Sequence, residues 1–77
     1  MQLTVHIAET IRCVVKDIPK TVVVERHKPT TIRQIAMDIG IPPILVVFAG
    51  VDGVKKGVND VVTKDSKIHL FGTMAGG

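Results

Sequence analysis

The sequence predicts an α+β domain, a mixed four- to five-stranded sheet with one main helix packed on one face. Three observations carry that prediction. Val and Ile dominate the apolar residues, and branched side chains suit a pleated surface. One segment, Thr31 to Gly40, combines helical spacing with helix punctuation. The first and last regular segments both alternate apolar and polar residues with period two.

Leu3, Val5 and Ile7 alternate with Gln2, Thr4 and His6, predicting a half-buried strand that starts at the first residue. Residues 8–19 carry two patterns. Ile11, Val14, Val15 and Ile18 suit a helical turn, whereas Ile11 to Val15 equally extends a hairpin, so the segment reads as an irregular connection. Thr21 to Glu25 predicts a second strand paired with the first, closed by a polar turn at Arg26 to Pro29. Thr31 then stands as a helix N-cap, with Gln34 placed to complete a capping box. Ile32, Ile35, Ala36 and Ile39 form one apolar stripe, and Gly40 supplies a left-handed C-terminal cap before Pro42 and Pro43. Ile44 to Ala49 predicts a third strand, Gly50 to Gly53 a turn, and Val54 a short strand. The last strand is Lys67 to Phe71, with Ile68 and Leu70 facing one way and Lys67, His69 and Phe71 the other. Dense alternation in the first and last strands predicts that they lie side by side, parallel, at the sheet centre. Residues 1–71 thus form one domain, and 72–77 a tail without strand pattern.

Composition excludes several function classes. One cysteine, Cys13, excludes an internal disulfide framework and a multi-cysteine zinc site, and no neighbouring His or Asp marks it as a nucleophile. It reads as a buried or half-buried apolar side chain in a reducing, cytoplasmic setting. The net charge of +3 is scattered over the chain, without a continuous basic stripe interleaved with aromatics, so no nucleic-acid partner is expected. No apolar run reaches membrane-spanning length, so no membrane is expected either. His6, His27 and His69 are dispersed and predict no metal site. Gly50-Val51-Asp52-Gly53 lacks the spacing of a phosphate loop, and no paired carboxylates stand ready for acid/base work. The chain therefore reads as having no catalytic machinery of its own, and as a monomer when free.

The sequence ends on Gly76-Gly77, which lack side chains and leave a backbone carboxylate uncovered. Together with Met1-Gln2-Leu3-Thr4-Val5, Thr31 to Ala36, Ile39-Gly40-Ile41-Pro42-Pro43, Val47-Phe48-Ala49-Gly50 and Lys64 to Leu70, this ending resembles the ubiquitin-like β-grasp superfamily. Within it the chain looks most like the ThiS/MoaD sulfur-carrier branch, over nearly its whole length. Two features depart from that branch: Gly72-Thr73-Met74-Ala75 replaces the usual prolines, and the chain is basic.

The resemblance implies a β-grasp roll and a sulfur carrier. An ATP-dependent adenylating enzyme would activate the Gly77 carboxylate, and a sulfur donor would convert it to a thiocarboxylate, with Gly76 giving access. The thio-product would be molybdopterin, tungstopterin, thiamin thiazole or a related compound, made by an acceptor synthase. ATP belongs to the partner enzyme, and no cofactor is expected on the chain. Residues 73–77, extended at ~3.3–3.6 Å each, would reach about 17 Å into a partner's active site. Val47, His69 and Phe71 match the superfamily's apolar partner-binding face, and strand phase adds Thr4, His6 and Lys67 to it. Two alternatives stand beside this reading: a protein modifier conjugated through Gly77 to lysines of a target protein, and a non-covalent interaction module.

Overall fold

The structure, a computed structural model, describes residues 1–73. The expected reactive end, Gly76 and Gly77, lies outside the described residues. In chain order the elements are β1 (Gln2–Ile7), α1 (Glu9–Arg12), β2 (Thr21–Glu25), β3 (Thr30–Thr31) and α2 (Ile32–Asp38). A 3-10 turn (Pro43–Leu45), β4 (Phe48–Val51), β5 (Val54–Lys56), β6 (Val61–Val62) and β7 (Ser66–Phe71) follow. Five strands form one mixed sheet in the order β2-β1-β7-β4-β5, and β3 pairs with β6 in a separate two-stranded ladder.

The centre of the sheet is the parallel pair expected from the alternation, with Val5 opposite Ile68 and His6 opposite His69. β2 flanks β1 and β4 flanks β7, both antiparallel. Period-two alternation then sorts the side chains: Leu3, Val5, Ile68, Leu70 and Ala49 are fully buried. Ile32, Ile35 and Ala36 of α2 join the same apolar cluster, so the main helix seals one face of the sheet. Burying each of the Leu, Ile and Val side chains among them contributes about 1.5–3 kcal/mol.

α2 is delimited as its sequence predicts. The Gln34 amide donates to Thr31 Oγ1 at 3.1 Å, forming the N-cap, but the Gln34 side chain turns forward to Asp38 Oδ1 at 2.8 Å and leaves the capping box half built. At the other end Ile41 N donates to Ala36 O and Gly40 N to Met37 O, the paired bonds of a Schellman motif. Gly40 sits at φ 90°, a left-handed conformation that a Cβ would oppose.

Two segments differ from expectation. The strand expected at Ile44 to Ala49 starts only at Phe48, because Pro42 and Pro43 lead into the 3-10 turn instead. Ile44 is 90% exposed, so the apolar run there is not a core strand. Residues 8–19 form one helical turn, α1, which buries Ile11, followed by turns. Cys13, expected buried or half-buried, is exposed just past this helix, since Ile11 takes the inward position.

Candidate functional site

The face of the sheet away from α2 carries the alternate residues of the same strands. His6 on β1 and His69 on β7 are cross-strand neighbours with rings stacked at 4.6 Å between centroids. Phe71, two residues beyond His69, lies 6.3 Å from it, and Phe48 on β4, directly opposite Phe71, stacks on it at 4.8 Å. The four rings stand in one row across three strands, within 20° of parallel at each step. Stacking of the Phe48–Phe71 pair adds about 0.5–1.5 kcal/mol beyond burial.

A polar group stands at each end of the row. Thr21 Oγ1 lies 3.2 Å from His6 Nδ1 on the β2 side. Lys55 Nζ lies 5.0 Å from the centre of the Phe48 ring on the β5 side, within cation–π range. Because neighbouring rings stack on one another, the row turns mainly ring edges outward. Between Phe48, Phe71, His69 and Lys55 the small residues Gly50 and Gly53 leave a shallow, mainly apolar concavity of about 410 Å³.

A tight hairpin shapes the rim of that concavity. Asp52 and Gly53 both adopt positive φ, 50° and 85°, as a two-residue turn between paired strands requires. Asp52 also fastens the turn to β7: its carboxylate accepts from Lys67 N at 2.9 Å and its amide donates to Lys67 O at 2.9 Å.

Of the residues singled out from sequence, His6, His69 and Phe71 come together in the ring row. Lys67 is exposed on the same strand, opposite Thr4. Val47 is exposed but precedes β4, outside the alternation that puts Phe48 on this face. Phe48, Gly50 and Lys55 were not singled out. Their signal was the pairing of β4 with β7, which a strand phased from Ile44 does not deliver.

Beyond Phe71 the chain passes through a narrow gap. Gly72 N donates to Thr10 Oγ1 of α1 at 3.1 Å. A Cβ at Gly72 would stand 2.9 Å from Ile11 Cγ1 and 3.0 Å from Leu45 O, so only glycine passes between α1 and the 3-10 turn without a shift. The first step out of β7 is thus fixed by two separate segments, α1 and the 3-10 turn.

Among the described residues no group of three His, Cys, Asp or Glu side chains is placed to hold a metal ion. No helix among them is long and apolar enough to cross a membrane. No family model matches the chain, and comparison with curated proteins and with solved structures gives no match.

Proposed function

We propose that this chain is a sulfur carrier of β-grasp fold, the substrate of an ATP-dependent adenylating enzyme. The observation that carries the reading is a coincidence on one strand: β7 bears His69 and Phe71 of the ring row and also hands the chain to Gly72 and the residues that follow. A partner docked on the ring face lies beside the point where the terminal residues leave the fold. The strand order, with a central parallel pair and one helix across the sheet, suits a β-grasp.

The chemistry falls on the Gly77 carboxylate, which the reading takes as the chain end. A carboxylate is a poor acyl donor because its charge repels nucleophiles and its leaving group is oxide. Attack of the carboxylate on the α-phosphorus of ATP forms the acyl adenylate and releases pyrophosphate. Hydrosulfide from the sulfur donor then attacks the acyl carbon, AMP leaves with the electron pair of the acyl–oxygen bond, and loss of the S–H proton leaves the thiocarboxylate. Gly76 and Gly77 leave room for nucleotide and sulfur donor to approach the backbone. The chain supplies the docking face, with His6, Lys67, His69 and Phe71 on it, and the partner supplies ATP and catalysis in a cytoplasmic setting.

Intact mass after incubation with ATP, a sulfur source and candidate adenylating enzymes tests the proposal. Replacement of one oxygen by sulfur at Gly77 supports it, and attachment of the chain to lysines of other proteins moves the reading to a protein modifier. The apolar concavity beside Lys55 favours a second reading, a non-covalent interaction module, which gains if a partner binds there and no adenylating enzyme modifies the chain.

A further inference from the structure

The two edges of the five-stranded sheet are built differently. β5 is three residues long and consists of Val54, Lys55 and Lys56. Its pairing with β4 leaves the backbone of Lys55 pointing outward, and lysine on a short edge strand discourages further pairing. β2, at the opposite edge, runs for five residues, Thr21-Val22-Val23-Val24-Glu25, with no lysine, proline or bulge inside it.

The phase of β2 follows from its bonds to β1. Ile7 N donates to Lys20 O, and Arg26 N donates to Met1 O while the Met1 amine donates back to Arg26 O. Hydrogen-bonded pairs alternate along an antiparallel ladder, so residues 20, 22, 24 and 26 bond inward. Thr21, Val23 and Glu25 therefore direct their N–H and C=O groups outward. Of these, Glu25 O accepts from the Arg26 side chain at 2.8 Å, and among the described residues the Val23 backbone has no partner. Val23 is also 58% exposed.

We infer that a second copy of this chain adds its own β2 to this edge, antiparallel, about a two-fold axis at Val23. The outward residues are self-complementary in that register. Val23 faces Val23 of the second copy, giving an apolar cross-strand contact, and Thr21 faces Glu25 of the second copy, a hydroxyl beside a carboxylate. All three outward positions then exchange backbone bonds with their counterparts, and because the contact is isologous the assembly closes at two copies. Lys20 comes opposite Arg26 of the second copy, whose charge is already engaged by Asp38. A groove of about 510 Å³, lined by Pro19, Val22, Val23, Val24, Asp38 and Ile39 among others, runs beside β2 and admits the incoming backbone. Thr21 and Val23 lie opposite His6 and Thr4, so the joined sheet extends the ring-bearing face without covering it. The inference does not depend on the carrier reading.

Sedimentation velocity of the full chain from about 10 μM to about 1 mM, a range that covers weak pairs, tests it. The wild type doubles its mass with concentration, while Val23→Lys, which leaves every β1–β2 bond in place, stays monomeric with an unchanged circular dichroism spectrum. Amide exchange at Val23 slows with concentration in the wild type alone. A wild type that remains monomeric at the highest concentration, a Val23→Lys variant that pairs as well as the wild type, or growth past two copies overturns the inference.

Discussion

The two faces of the five-stranded sheet are made from alternate residues of the same strands, yet they do opposite work. On β7, Ile68 and Leu70 are fully buried against the helix side, while Lys67 and His69, each one residue before them, are exposed and Phe71 is half-buried in the ring row. On β1, Leu3, Val5 and Ile7 are buried and Thr4 and His6 lie half-exposed. The helix side holds the fold by burial, and the other side carries shape and ring edges at little energetic cost. A domain this small has few residues to spare, so under the carrier proposal recognition would occupy the polar phase of strands whose apolar phase is committed to the core.

That division is open to attack by substitution. The largest effect belongs to the sealed face: Leu70→Ala, at a fully buried position, costs about 2–5 kcal/mol in urea unfolding. A cost as small as that of an exposed residue would mean that the helix side is not where the stability lies. Gly72→Ala, at the exit from β7, comes next, because its Cβ meets Ile11 and the Leu45 carbonyl. It lowers stability by about 1–3 kcal/mol by the same measurement, and no loss would show that the gap is wider than drawn. Thr31→Ala removes the α2 N-cap and costs about 1 kcal/mol in thermal unfolding, while Thr31→Ser restores most of it.

The ring face responds more weakly in stability. A double-mutant cycle on Phe48 and Phe71, each changed to Leu, gives a coupling of about 0.5–1.5 kcal/mol if the rings stack as described. Additive single effects would remove the stacking from the account. His69→Ala, the smallest, stays within about 0.5 kcal/mol of wild type. Under the carrier proposal its effect falls on the partner: the KM for adenylation of the chain rises while the maximal rate is kept. Equal loss of stability from His69→Ala and Leu70→Ala would erase the difference between the faces.

Much of this arrangement was legible because alternation and capping are local signals. Leu3 to Ile7 and Lys67 to Phe71 show their buried phase directly, Thr21 to Glu25 reads as a strand whose three successive valines leave the phase open, and Thr31 and Gly40 bracket α2. Ile44 to Val47 misled because an apolar run has the composition of a strand, whereas Pro42 and Pro43 turn it into a 3-10 corner. Moving the strand start to Phe48 also changes which residue joins the ring face, since a one-residue shift exchanges the two sides. β3 and β6 are two residues each and gain meaning only by meeting across the chain, a long-range fact without local trace. The ring row was half legible for the same reason: His6, His69 and Phe71 follow from strand phase, but Phe48 and Lys55 need the pairing of β4 with β7 and β5.

The carrier proposal places all of its chemistry at one group, so deletion of Gly77 tests it most directly. ATP–pyrophosphate exchange by the adenylating enzyme, measured on the intact chain and on the chain lacking Gly77, should fall to background with the deletion while thermal stability stays the same. Undiminished exchange on the truncated chain would contradict the account.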